Sequence, residues 1–236
     1  MPVRELWWNL ILMSLCYAYV AMVIVVSGRL GRVVHVSWRT RRKFLHIMIG
    51  NLPFVIPFFT VEFLPGLVAA PFIIVTFLAS PYSPFKSATV RMRGLSDITE
   101  EGHSGGLVFY AVSYTCLAFL FPSRAYVVAA GILPMAYGDA AASIVGEKFG
   151  KTKYRLVAVK SLEGSAAMFM VSVSSLAAGL FFFSFVYPFL LVEKLLAALA
   201  AAAVVTVVEG ISPMGFDNIT VPVSSVVVFL LCGGGG

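Results

Sequence analysis

Long apolar runs recur along this chain, separated by short polar joints, and that alternation leaves little freedom in what it can fold into. A helix needs about 20 apolar residues to cross the hydrocarbon core of a bilayer. Backbone polar groups at that depth must be satisfied within the segment. Spanning helices are therefore expected near 6–26, 44–60, 64–79, 105–121, 125–145, 165–187, 190–208 and 218–232. The second run contains Asn51, Pro53 and Pro57, and the seventh opens with Glu193 and Lys194, so seven spans is the competing count. The expected fold is all-α: a polytopic integral membrane protein of about eight transmembrane helices. Residues 1–232 form a single transmembrane domain and 233–236 a flexible glycine tail.

Charge supports this reading. Charged residues make up 12% of the chain, against about 25% in a soluble domain. The mean hydropathy of +0.95 leaves no stretch for a soluble domain. The net charge of +6 does not point to nucleic acid, because the cations cluster between apolar runs. Cys16 and Cys116 lie inside apolar runs and Cys232 near the C-terminus, with no paired spacing for a disulfide or metal set. The Leu6–Val26 run is too long for a signal-peptide core, and its basic residues follow it, so it reads as a retained first span.

Orientation follows from the same cations. Arg29, Arg32, Arg39, Arg41, Arg42 and Lys43 separate the first two runs. Lys86, Arg91 and Arg93 separate the third and fourth, and Lys148, Lys151, Lys153, Arg155 and Lys160 the fifth and sixth. Only Arg4, Arg124 and Lys194 remain for the other side. The positive-inside rule makes the crowded face cytoplasmic and puts both termini outside. Asp97, Glu100, Glu101, Asp139, Glu147, Glu163, Glu209 and Asp217 gather on the same face. Acids contribute little to topology, so their co-segregation points to a site.

The stretch Gly138–Gly164 carries most of that chemistry. An acid such as Asp139 inside the apolar run 132–145 is costly and implies function. On a helix it shares a face with Ser143 and Glu147. It lies toward a helix C-terminus, where the dipole disfavours a carboxylate and a bound divalent cation would relieve the conflict. Lys160, Ser161, Glu163 and Gly164 open the next helix, where free N–H groups and a lysine suit a phosphate. Gly150-Lys151-Thr152 imitates a P-loop but is one residue short of the spacing and follows a membrane helix, so it reads as a turn carrying cations or as a plain solvated loop. His103 with Gly105 and Gly106, and Lys43 with His46, open two further helices on the same face. Glu209, Ser212, Asp217 and Asn218 fall between the last two runs; an N-cap explains Asp217 or Asn218 but not the whole group.

These stretches, RRKFLH (41–46), EGHSGG (101–106), GDAAASIVGEKFG…KSLEGSAAMF (138–169) and EGISPMGFDNITVP (209–222), resemble the dolichol kinase and phytol kinase family. The resemblance covers about residues 40–222. It implies CTP-dependent phosphorylation of an isoprenoid alcohol of the dolichol, phytol or geranylgeraniol type, with Mg²⁺, at the cytoplasmic face. It implies Asp139 and Asp217 as the metal or catalytic carboxylates and Lys160 as a catalytic cation at the nucleotide phosphates; the residues themselves add Glu163 and Glu209 as metal ligands. By the resemblance Lys43, His46, His103, Gly105, Gly106, Glu163 and Gly164 would contact the nucleotide, and by their own position so would Lys151, Ser161 and Asn218. A CTP-dependent lipid cytidylyltransferase uses similar acids and is the alternative; a secondary transporter is the further one. The polar residues crowd one face, which disfavours transport.

Overall fold

The computed structural model describes residues 3–33, 37–87, 95, 105–213 and 215–235, so Asp97, Glu100, Glu101 and His103 lie outside the described residues. The helices are α1 (Val3–Val33), α2 (Trp38–Ile49), α3 (Leu64–Ala79), α4 (Gly106–Leu120), α5 (Ala125–Phe149), α6 (Leu162–Phe183), α7 (Leu191–Ile211) and α8 (Asp217–Phe229). A π turn, Leu230–Gly234, continues α8. Among the described residues, five helical stretches are long and apolar enough to cross a membrane: Val3–Leu30, Ala125–Phe149, Leu162–Ser184, Leu191–Ile211 and Asp217–Gly234. α3 and α4 are shorter apolar helices. The protein is thus an all-α membrane protein.

Two local features differ from expectation. The run 44–60 is not one helix: α2 starts earlier, at Trp38, and a separate 3₁₀ turn covers Leu52–Phe58. Pro53 has no N–H to donate and disfavours the α conformation at Leu52, so the helix must end before it. Asn51 Nδ2 donates to the carbonyls of Ile47 and Met48 at 3.0 and 3.3 Å, serving the released helix end. The second difference is a short antiparallel hairpin, β1 (Lys153–Arg155) with β2 (Val159–Ser161), in place of a plain turn after Gly150.

The chain divides into two compact units, Met1–Ser123 and Arg124–Gly236. In the first, Val23, Leu45, Ala79, Leu95 and Leu107 form the core. α3 lies close on α4 because Gly66 has no side chain: a Cβ there would stand 2.6 Å from the Phe119 ring. Buried Asn9 on α1 donates to the Glu5 carbonyl (2.8 Å) and Thr60 Oγ1 (2.6 Å), and accepts from Thr60 N–H (3.1 Å). A polar side chain on an apolar helix is thereby satisfied and fixes α1 to the loop before α3.

In the second unit α5 is the inner helix. Its apolar window is 78% buried against 33% for those of α6 and α7, as expected of a helix that is hydrophobic all round. Pro134 interrupts its hydrogen-bond ladder, because proline cannot donate to the carbonyl of Ala130 four residues back. Ser225 Oγ of α8 donates to that carbonyl at 2.5 Å. The helix then takes a π turn, Pro134–Gly138, closed by Asp139 N–H on the Pro134 carbonyl. Such turns frequently mark functional sites, and this one immediately precedes Asp139. Gly138, Ala142 and Gly146, four residues apart, form a small-residue stripe that admits α6. A Cβ on Gly164 of α6 would meet the Ala142 carbonyl at 2.9 Å and Gly146 Cα at 3.3 Å.

Candidate functional site

The hairpin delivers the central cation. In its register Tyr154 faces Lys160 across the strands, and the pleat places such a pair on one face. The pair meets two adjacent residues of α7. Lys160 Nζ donates to Glu209 Oε1 in an ion pair. The Tyr154 hydroxyl lies against Gly210, where a Cβ would stand 2.8 Å away, and is 2.7 Å from Ser165 Oγ on α6. Glycine at 210 is therefore a requirement of the hairpin's close approach.

Three acids act on this lysine. Asp139 is 6% exposed, Glu209 3% and Asp217 7%. Burial alone lowers a lysine's pKa, but the charge and hydrogen bond of Glu209, followed by the charges of Asp139 and Asp217, outweigh it. Lys160 is held above its ordinary value and remains protonated at neutral pH. Glu209 sits in the last turn of α7, where the helix dipole disfavours a carboxylate, and Lys160 answers that cost. Asp217 begins α8, the favourable end for an acid. Its Oδ1 accepts from Asn218 N–H at 2.9 Å and Asn218 Nδ2 at 3.0 Å. Asn218 Nδ2 also donates to the carbonyl of Gly215 (3.2 Å), whose φ of 88° suits glycine in the turn before α8.

The structure thus brings together Asp139, Lys160, Glu209, Asp217 and Asn218 from distant parts of the sequence. Other expected residues have different partners. Ser161 is the N-cap of α6, its Oγ accepting from Gly164 N–H at 3.1 Å. The Glu163 carboxylate turns to the hairpin and accepts from Thr152 N–H at 3.0 and 3.3 Å. Gly164 serves the α5–α6 contact, and Lys151 is exposed beside the hairpin. Among the described residues no three His, Cys, Asp or Glu side chains form a ready-made metal cage.

In the first unit, Lys43 and His46 are buried on α2. The His46 ring lies 4.6 Å from that of Tyr110, whose hydroxyl donates to the His46 carbonyl at 3.1 Å. Gly105 and Gly106 form the start of α4. This unit also holds a partly open apolar pocket lined by Val20, Leu45, Ala69, Phe72, Tyr110 and Ala111 among others.

Tyr154 is the site residue that the expected set lacks. Its only signal is the two-residue alternation of Lys153-Tyr154-Arg155 and Val159-Lys160-Ser161 on either side of a short turn.

No protein-family profile matches the chain, and no solved structure matches it. The chain is 28% identical over 224 residues to a phytol kinase from Synechocystis sp., an alignment covering 92% of this chain and 90% of that protein. That similarity runs nearly end to end rather than through isolated motifs, and so supports the resemblance to phytol and dolichol kinases.

Proposed function

We propose that the protein is a membrane kinase that phosphorylates an isoprenoid alcohol, with Asp139, Lys160, Glu209 and Asp217 as the phosphoryl-transfer site. One observation carries the assignment to these residues: three buried acids from α5, α7 and α8 act on one lysine from the hairpin. Similarity to a phytol kinase supports the reaction class. CTP as donor, a cytoplasmic site, and an alcohol of the phytol, dolichol or geranylgeraniol type complete the reading.

Phosphoryl transfer is mainly positioning and charge stabilisation. The alcohol oxygen bonds to the γ-phosphorus, the bond from that phosphorus to the bridging oxygen breaks, and the nucleoside diphosphate leaves. One of Asp139 and Asp217 accepts the hydroxyl proton. Lys160, held protonated and aimed by Glu209, stabilises the charge on the transferring group. The carboxylate donor set suits Mg²⁺, which usually takes one or two carboxylates beside substrate phosphates rather than a full protein cage. Asp139 and Asp217 would hold it, and when bound it would neutralise donor phosphate charge.

The test is label transfer by purified protein with Mg²⁺, phytol or geranylgeraniol, and CTP labelled at the α or the γ phosphate. γ-Label in the lipid is the expected result. α-Label in phosphatidic acid, with none in the alcohols, would establish a cytidylyltransferase instead.

A further inference from the structure

The start of α2 presents an electrostatic problem that the described residues do not solve. Ser37 caps the helix, its Oγ accepting from Thr40 N–H at 3.3 Å. Arg39, Arg41, Arg42 and Lys43 follow at once, with no acid in the first turn. Cations are disfavoured at this positive end of a helix dipole. Arg42 is only 6% exposed, and its guanidinium carbon lies 5.9 Å from the centre of the Trp38 ring. A ring can attract the charge of a guanidinium, but it does not accept hydrogen bonds from all of its N–H groups. Arg42 Nε and Nη1, and Arg41 Nε, are buried with no hydrogen-bond acceptor among the described residues.

A topology anchor does not require this arrangement. Arginines that mark the cytoplasmic side do so while exposed, whereas a buried guanidinium with unmet donors destabilises the fold that contains it. Such donors call for an explanation, and a ligand supplies one. The guanidinium fork matches the oxygens of a phosphate. Side chains on a helix lean back toward its N-terminus, so Arg41 and Arg42 extend toward the same end as the free N–H groups of the first turn. An anion there would also answer the dipole.

We propose that the N-terminal turn of α2, with Arg41 and Arg42, is a binding site for a phosphate group. That group is carried by either an anionic phospholipid headgroup or a nucleotide polyphosphate. The site does not depend on the kinase reading and stands even if the transferase assay fails.

Trp38 is a natural reporter, because Arg39 and Arg42 both lie over its ring. The experiment uses the full chain with Trp7→Phe and Trp8→Phe, delipidated in neutral detergent. Trp38 emission and thermal midpoint are followed during separate titrations with pyrophosphate, CTP and short-chain phosphatidic acid. A saturable change with pyrophosphate or CTP identifies a polyphosphate site; a change with phosphatidic acid alone identifies a headgroup site. Arg42→Met should melt at or above the parent temperature without ligand, since it removes the unmet charge, and should lose the response. Arg42→Lys, which keeps charge but not the fork, should weaken apparent affinity by roughly tenfold. This second variant keeps the test decisive if Arg42→Met fails to fold. No saturable response to any of the three probes, or unchanged affinity in the Arg42 variants, would overturn the proposal.

Discussion

Replacing Lys160 with Met removes the cation on which three buried carboxylates act, and the cost can be worked from the structure. Breaking a buried ion pair by deleting one partner costs about 3–5 kcal/mol, because the other charge stays buried. Glu209 is 3% exposed, but the Lys160 side chain is 25% exposed and partly solvated. The lower end, about 3 kcal/mol, is therefore expected. For a chain of this size that corresponds to a fall in thermal midpoint of about 6–12 °C. Glu209→Gln should cost less, about 1–2 kcal/mol, because Lys160 keeps the charges of Asp139 and Asp217. The double variant should not add the two losses: with Glu209 already neutral, removing the lysine costs less than in the parent, since only Asp139 and Asp217 lose its charge, leaving a coupling of about 1–2 kcal/mol. Thermal melts of the four proteins in one detergent measure all of this. The pH dependence has a definite sign. Lys160 is raised above its ordinary value in the fold, so its stabilisation is fully present below the ordinary lysine value. It disappears only as pH rises through the raised value. The gap between parent and Lys160→Met should be constant through neutral pH and close only in strong alkali. Additive losses, or a gap that closes near neutrality, would refute the reasoning.

Further substitutions probe the scaffold. Ser225→Ala leaves the Ala130 carbonyl above Pro134 without its donor and should cost about 1–2 kcal/mol in melts. Gly164→Ala puts a Cβ 2.9 Å from the Ala142 carbonyl. Separating α5 from α6 in this way should cost about 1–3 kcal/mol and lower kcat. Glu163→Gln, which only weakens the contact to Thr152 N–H, should change kcat less than about threefold.

The helices were legible because a bilayer imposes a length and an apolar composition on each span, which the runs around α1, α5, α6, α7 and α8 display openly. The break after α2 was legible as a risk, through Asn51 and Pro53, although its form was not. The buried acids announced themselves because charge is rare at such depth; Asp139 stands in a run otherwise apolar, and Glu209 directly follows one. Their partner did not. Lys160 is three residues from Glu163 and 49 from Glu209, and sequence proximity favours the nearer acid. The hairpin decides otherwise, turning Lys160 with Tyr154 onto α7 and leaving Glu163 to the Thr152 backbone. Two three-residue strands give too short an alternation to be read as structure. The π turn at Pro134–Gly138 was hidden as well, since proline in a membrane helix signals a disturbed ladder but not which bond replaces it.

The most direct test compares Asp139→Asn with Glu163→Gln in the transfer of γ-label from CTP to phytol or geranylgeraniol, with melts confirming that both variants fold. Removing a group that binds the reacting phosphates or accepts the proton should lower kcat by about 100-fold or more in Asp139→Asn, while Glu163→Gln stays near the parent rate. Full activity in folded Asp139→Asn, or an equal loss in Glu163→Gln, would show that the phosphoryl group is not transferred at the cluster around Lys160.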